Sequence, residues 1–520
     1  MNIWFASMEC AGIAEAGGVK NVTFSLCKEF SQAGHEVTLF IPVFKCTSFD
    51  LIKDLMDVKE NQKIFICGKE ETVKYQKAVC TSGNFNVVFV EHKAFEEKEA
   101  VYTYTANEQK KNPLCIKGHG HTDTLFMDTL FQKAVCSYAA ISSDLPQIIH
   151  CQDAATASLP SFAKQTPELK NVKCVVTIHN AGPAYHHEFS SLGEAAWYTG
   201  LSEKLLSKSL NNGKVEPFLL AINSKAFLST VSEQYAKEIT DPLNADITEN
   251  LSRIFAKMKV EIKGITNGFD FERYDPTDAK KSKLPYTFNP LKFDLEGKRL
   301  CKKYFVEKIA NSRNFKCEGL KKFGTLECSK NLDNEIFIAY HGRITTQKGI
   351  SVLVNTIPTV LSNFDNVSFI VAGQGESDLE NSVIELTKAF PGKVIFMNGY
   401  NQEVVRLLTA SSDFITLPSF FEPCGLEDFI AQAYATVPIA HRTGGLTKIK
   451  DLKTGYLYNN NNEAALSLTI CRAICIKQYN SKLHEQIIKN GAESVQKEYL
   501  WKNVIEKKYL PYFEEILNFS

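Results

Sequence analysis

Thr416-Leu-Pro-Ser-Phe-Phe-Glu-Pro-Cys-Gly-Leu426 is the stretch around which the rest of the chain can be ordered. The run Asp413-Phe-Ile-Thr-Leu417 reads as a short core strand. Pro418 and Pro423 then hold the backbone extended, because the residue ahead of a proline is pushed out of the helical region. Gly425 allows a close approach as a helix begins, and one carboxylate, Glu422, stands in the loop. In an open parallel sheet, the loops leaving the carboxyl ends of strands line the ligand crevice, and helix N-termini there attract anions. The pattern predicts Glu422 in a cleft beside an anionic ligand.

A chain of 520 residues is too long for a single core and predicts two α/β domains. Lys+Arg and Asp+Glu both number 59, which leaves no net field to draw the chain to nucleic acid or to an acidic membrane. Neither partner is expected, and any anion must be met by local cations. The cysteine count of 15 is odd and has no disulfide-framework spacing, so a reducing compartment with mostly buried thiols is expected. Cys471 and Cys475, one helical turn apart with no His pair nearby, read as core packing rather than a zinc site. The opening Met1-Asn-Ile-Trp-Phe-Ala-Ser7 reads as a strand, without the apolar region of a signal peptide. No apolar run reaches membrane-spanning length, and a cytoplasmic location is expected.

Ahead of the opening stretch, the chain alternates strands and helices. Ile3 to Ala6, the loop Glu15-Ala-Gly-Gly-Val-Lys-Asn21, the amphipathic segment from Val22 and the strand Val37-Thr-Leu-Phe-Ile41 form one βαβ unit. Gly17 and Gly18 could bring backbone N–H groups up to a phosphate, or could simply make a tight turn. Further strands are predicted at Val87 to Val90, Ile148 to Cys151, Val172 to Ile178, Phe227 to Val231 and Ile262 to Ile265. Two strand ends carry polar groups at the presumed crevice: Asp153 in Ile149-His-Cys-Gln-Asp153, and His179 with Asn180 in Val176-Thr-Ile-His-Asn180. Gly118-His-Gly-His121 and His186-His187-Glu188 lack metal-ligand spacing and read as loops.

From Asp275 to Asn334 the pattern loosens, with Pro276, Pro285 and Pro290, a helix at Arg299 to Lys308 and a polar, cysteine-bearing run. A second α/β series begins at Ile336-Phe-Ile-Ala-Tyr-His341 and continues through Val367 to Gly373, Val394 to Met397 and Val437 to Ala440. The expected boundaries are a first domain over 1–285, a connection with an insertion over 286–334, and a second domain over 335–497. Arg343, Lys348, Glu422 and the turn Gly444-Gly445 all fall at strand ends or helix starts. Two cations with backbone N–H groups suit a diphosphate held without metal. No Asp-x-Asp pair suggests a carboxylate-held Mg²⁺, and no cofactor is expected.

Taken together, Gly17-Gly18-Val19, His150-Cys-Gln-Asp153, Thr177-Ile-His-Asn180, Thr230-Val-Ser232, Asn267-Gly-Phe-Asp270, Gly342-Arg-Ile-Thr-Thr-Gln-Lys-Gly349, Phe421-Glu-Pro-Cys-Gly-Leu426 and Arg442-Thr-Gly-Gly-Leu446 resemble the bacterial glycogen synthase and plant starch synthase family, in the family's order. The resemblance leaves out the excursion around 310–333. It implies a GT-B fold: two facing Rossmann-like domains with a cleft between them, the acceptor mainly on the first and the sugar nucleotide mainly on the second. A C-terminal helix over 498–520 would pack back on the first domain, which would account for the stripe at Trp501, Val504, Ile505, Lys508 and Tyr512. The implied reaction is metal-independent, retaining transfer of glucose from a nucleotide sugar, ADP-glucose ahead of UDP-glucose, to the non-reducing end of an α-1,4-glucan. By matching position, Arg343 and Lys348 hold the diphosphate, Glu422 contacts the donor glucose, and His179 and Asp153 lie at the reacting sugar. Gly17, Gly18, Asn267, Tyr400, Cys424, Gly425, Leu426, Thr443, Gly444 and Gly445 would line the donor site, and Glu9 and Asn180 would meet the acceptor.

Three departures from the family stand out. Its lysine before the glycine pair is Glu15 here, its His-Asp-Trp is Gln152-Asp153-Ala154, and its Thr-Gln after Cys-Gly-Leu is Glu427-Asp428. A carboxylate at position 15 would repel a diphosphate, so Glu15 is expected to turn away, pairing with Lys20 or meeting acceptor hydroxyls. The other readings that the residues leave open are a GT-B glycosyltransferase with a different acceptor and a catalytically quiet glucan-binding homologue.

Overall fold

The structure is a computed structural model that describes residues 1–312, 315–329 and 331–519. Residues 313, 314 and 330 of the 310–333 insertion, and residue 520 of the segment expected over 498–520, lie outside the described residues. The chain forms two compact units, Met1–Gly268 with Trp501–Ser520, and Phe269–Leu500. The first break therefore falls earlier than 285, and the segment from Phe269 through the insertion belongs to the second unit. The reason lies in packing. Phe269, Leu284, Phe288, Cys301 and Phe305 are buried in the same core as the strand Ile336–His341.

In the first unit seven parallel strands run in the order Ile262–Gly264, Phe227–Thr230, Lys173–Ile178, Ile148–Gln152, Asn2–Ala6, Glu36–Pro42 and Phe85–Glu91. The central strands are apolar on both faces, as strands covered by helices must be. The order reverses between Asn2–Ala6 and Ile148–Gln152, so the loops after these two strands flank the topological switch point. Three antiparallel strands, Ile52–Asp57, Gln62–Ile66 and Lys69–Cys80, extend the sheet beyond Phe85–Glu91. The sequence reading has no strands there. Ile52–Asp57 is exposed along nearly all its length and carries no apolar alternation to reveal it.

The C-terminal segment packs within this first unit. Trp501, Val504, Ile505, Tyr509, Tyr512, Phe513 and Ile516 are buried, and the Tyr512 hydroxyl donates to the Leu228 carbonyl at 3.0 Å. Lys508 lies off this stripe and pairs with Glu233 at the surface. Gly268 makes the approach possible, since a Cβ there would sit 2.4 Å from the Trp501 ring.

Among the described residues the second unit has six parallel strands in the order Val394–Gly399, Val367–Gly373, Ile336–His341, Phe414–Leu417, Val437–His441 and Tyr456–Tyr458. The insertion adds the antiparallel edge strand Leu320–Phe323 beside Val394–Gly399. Lys322 on it caps the helix that ends near Ala310, donating to the carbonyls of Ile309, Ala310 and Ser312. The order reverses at Ile336–His341, so the loops after this strand and after Phe414–Leu417 border the switch point. The helix Glu463–Tyr479 corrects one expectation. It buries Leu466, Ile470, Ala473 and Ile474, which leaves Cys471 half-buried and Cys475 exposed on the adjoining face rather than in the core.

Candidate functional site

The switch point of the second unit brings together residues far apart in sequence. Lys348 Nζ lies 2.6 Å from Glu422 Oε2, with the two side chains 16% and 12% exposed. Ser419 Oγ donates to the same carboxylate oxygen at 2.9 Å. Arg343 is exposed and reaches Gln347 Oε1 at 3.2 Å, while Gln347 donates in turn to the Phe421 carbonyl at 3.1 Å. Gly349 places the two loops in contact. It has a φ of 69°, and a Cβ there would overlap the Pro418 oxygen at 1.8 Å.

Beside this group is a cavity of about 480 Å³. Arg343, Lys348, Leu426 and Glu427 form part of its lining, and so does Tyr400, which follows the strand Val394–Gly399 and is 62% exposed. Glu427 lies on the wall next to Lys348. Burial would raise its pKa, but the charge of Lys348 and backbone N–H groups, that of Leu426 among them, outweigh that, so the carboxyl is held below its ordinary value. Burial likewise opposes the charge of Lys348, and Glu422 with Glu427 outweigh it, raising the pKa. The lysine is thus a permanent cation between two carboxylates. That second carboxylate is the departure at position 427.

Six more of the residues assigned to the donor lie in this unit, on the loops around Glu422. Cys424 is buried, Gly425 has a φ of 71°, and Leu426 donates its N–H to Glu427 at 3.1 Å. Thr443 Oγ1 reaches the Phe420 carbonyl at 3.3 Å, Gly444 has a φ of 43°, and Gly445 donates its N–H to the Glu422 carbonyl at 2.8 Å. Asn267 belongs to the other unit, where it is buried and its Oδ1 has no hydrogen-bond partner.

At the switch point of the first unit, Asp153 ends the strand Ile148–Gln152 with a φ of 63°, a backbone strain that a non-glycine residue adopts only where its surroundings impose it. Burial pushes its pKa up to about 7, opposed by the charge of His187 and by backbone N–H groups, that of His179 among them. His179 is a neutral imidazole, pushed down to about 3 by burial, and its Nε2 donates to Gln152 Oε1 at 2.8 Å. Asn180 Oδ1 accepts the Gly182 N–H at 2.8 Å and so holds its own loop. Glu9 accepts the N–H groups of Ala16 and Gly17, and a Cβ on Gly17 would come within 3.0 Å of its carboxylate. Gly18 precedes the helix Val19–Gln32 with open space around it. Glu15 turns to Lys20 at 2.8 Å and to the Gly12 N–H at 2.8 Å, the first of the two arrangements expected for it.

Two functional candidates were not singled out in the sequence reading, which took His187 as part of a loop. His187 Nδ1 lies 2.6 Å from Asp128 Oδ2, with its charge in reach of Asp153. Asp128 is on the helix Thr124–Ser137, far along the chain, and no local pattern could have joined the two. The second is Lys448, whose Nζ is surrounded by backbone carbonyls of the Glu422 loop. Among the described residues one group of three has ligand atoms close enough for a metal: His186, Glu188 and Glu249. Both His186 nitrogens are already engaged, by Glu216 at 2.7 Å and the Ala181 carbonyl at 3.0 Å. Nor is any helix among the described residues long and apolar enough to cross a membrane.

Two units, each built on a mainly parallel α/β sheet, make the fold that of the GT-B glycosyltransferases, and a solved structure of that fold agrees. The catalytic domain of starch synthase IV from Arabidopsis thaliana, bound to ADP and acarbose, superposes with a TM-score of 0.78 over 99% of both chains at 20% identity. Residues 2–277 match the family described as starch synthase catalytic domain, and residues 327–494 match glycosyl transferases group 1. The glycogen synthase of Thermodesulfovibrio yellowstonii is 28% identical over 539 aligned positions, covering 99% of this chain and 98% of that protein. The glycogen synthase of Flavobacterium johnsoniae is 26% identical, covering 98% of each. The chain belongs to the starch synthase catalytic domain family, and it is a glycosyltransferase of the glycogen and starch synthase type.

Proposed function

We propose that this enzyme moves glucose from a nucleotide sugar, ADP-glucose in preference to UDP-glucose, to the non-reducing end of an α-1,4-glucan with retention of anomeric configuration. The observation that carries the reading is the placement of Arg343 and Lys348 on one loop beside a cavity of about 480 Å³ that has Tyr400 on its wall. Cations suit a diphosphate, and an aromatic face suits a nucleobase. The ADP in the starch synthase IV structure and the names of the curated relatives support the donor and acceptor classes.

As the bond to the glucose carbon breaks, negative charge builds on the departing diphosphate. Arg343 and Lys348 stabilise it, and Lys348 is already fixed by Glu422 at 2.6 Å, so little reorganisation accompanies the reaction. Glu422, held by Lys348 and Ser419, accepts hydroxyl hydrogens of the donor glucose. Gly17, Gly18, Asn267, Cys424, Gly425, Leu426, Thr443, Gly444 and Gly445 complete the donor's surroundings. His179 and Asp153 stand at the reacting sugar, and Glu9 and Asn180 serve the acceptor once they release the N–H groups they now hold. The acceptor falls mainly to the Met1–Gly268 unit and the sugar nucleotide mainly to the Phe269–Leu500 unit. The reaction takes place in the cytoplasm.

The test is nucleotide release from a panel of sugar nucleotides, with and without glycogen. Release from ADP-glucose that depends on glycogen, unchanged by EDTA, is expected. No release and no glucan elongation with any donor would end the proposal.

A further inference from the structure

The loops that carry Glu422 and Gly444-Gly445 leave neighbouring parallel strands, Phe414–Leu417 and Val437–His441, and meet along their backbones. A Cβ on Gly445 would lie 2.0 Å from the Cys424 oxygen. So close an approach turns several carbonyls toward one point, where their dipoles repel. Lys448 occupies that point. Its Nζ donates to the carbonyls of Cys424 at 2.6 Å, Gly425 at 2.9 Å and Gly445 at 3.1 Å.

An ammonium has three protons, and these three oxygens take all of them. Asp428 Oδ1 lies 3.0 Å from the same nitrogen and supplies the balancing charge, while Gln432 Nε2 donates to Asp428 Oδ2 at 3.5 Å. The Lys448 and Asp428 side chains are 4% and 0% exposed. An ammonium so enclosed reaches no ligand, and its effect is on the loops themselves. A buried ion pair is a poor device for stability alone, since apolar side chains of like volume serve as well or better.

We propose that Lys448, backed by Asp428, is a positioning residue for Glu422: by gathering the carbonyls of two adjacent turns it fixes the loop whose carboxylate meets Lys348. The inference rests on the reading of Glu422 as a donor contact. It also gives a partner to half of the departure at Glu427-Asp428, because the carboxylate at 428 balances a lysine enclosed twenty residues later.

The test uses the full chain and the variants K448M, K448R, D428N and E422Q, with nucleotide release measured against donor and glycogen concentration and thermal unfolding followed alongside. K448M is expected to lower kcat at least tenfold while the KM for glycogen stays within twofold. K448R keeps the charge, but its planar fork spreads its donors and cannot serve three converging oxygens, so its kcat falls at least fivefold. D428N leaves the hydrogen bonds in place and loses less than either. A folded K448M with kcat within threefold of the native enzyme would overturn the proposal. Should K448M not fold, a folded K448R with native kcat overturns it equally, and a fivefold loss supports it. Full turnover in E422Q would instead remove the reading of Glu422, whereas an impaired E422Q beside fully active Lys448 variants would remove only this inference.

Discussion

Replacing Lys348 with alanine should separate chemistry from stability when it is set beside the same change at Arg343. Lys348 is the partner of a carboxylate only 12% exposed, at 2.6 Å. Removing one member of a buried pair typically costs about 3–5 kcal/mol because the other charge is stranded. Ser419 still donates to Glu422 at 2.9 Å, which places the expected loss at the lower end, about 3 kcal/mol. For a unit the size of Phe269–Leu500, that lowers the melting temperature by roughly 6–12 °C. Arg343 strands no charge, since its neighbour is the neutral amide of Gln347 at 3.2 Å, and R343A should melt within about 2 °C of the native enzyme. On the proposed function both variants lose a cation that faces the departing diphosphate, worth about 3 kcal/mol in the transition state, or a hundredfold and more in kcat. Calorimetry and nucleotide release on the two proteins read out both quantities. Near-native turnover in both would show that the diphosphate is held elsewhere. Equal melting losses would show that the ion pair with Glu422 contributes nothing particular.

Three further expectations follow from individual carboxylates. Glu427→Gln removes one of the two negative charges flanking Lys348, so ADP should bind severalfold more tightly by calorimetry at low salt, with the gain shrinking as salt rises; weaker binding would show that the carboxylate is itself a ligand group. Glu15→Lys breaks the contacts to Lys20 and the Gly12 N–H and puts two lysines together, so acceptor use or stability should suffer while the donor KM improves by less than twofold, and a large gain confined to the donor would contradict this. Asp153 holds its proton up to about pH 7 in the fold and to about 4 when unfolded, so the folded state binds more protons between those values and its contribution to stability is lost as pH rises through 7. The melting temperature of D153N should therefore gain on that of the native protein from pH 4 to 7, and parallel curves would show that Asp153 is not the titrating group.

Strand positions and the residues at their ends were legible in the sequence because both are local. A strand covered on both faces must be apolar along its length, as in Ile336–His341 and Val367–Gly373, and the residue that stops the run marks the carboxyl end where ligands gather. Arg343, Lys348, Glu422, Asp153 and His179 could be named for that reason. The exposed strand Ile52–Asp57 has no such run, and Cys475 followed the helical period without facing the core.

Partnerships are a different matter, because they are decided by which strands lie side by side, and hydrophobic period carries no record of strand order. Lys348 meets Glu422 only because Ile336–His341 pairs with Phe414–Leu417. Lys448 meets the carbonyls of Cys424 and Gly425 only because Phe414–Leu417 pairs with Val437–His441. His187 reaches Asp128 across a gap of 59 residues, and Glu9 folds back on the glycine loop that the sequence left open between a phosphate site and a tight turn. The residue types able to do the chemistry are written in the sequence, whereas the pairing of each charge, and hence its strength and protonation, arises from contacts that exist only once the sheets have assembled.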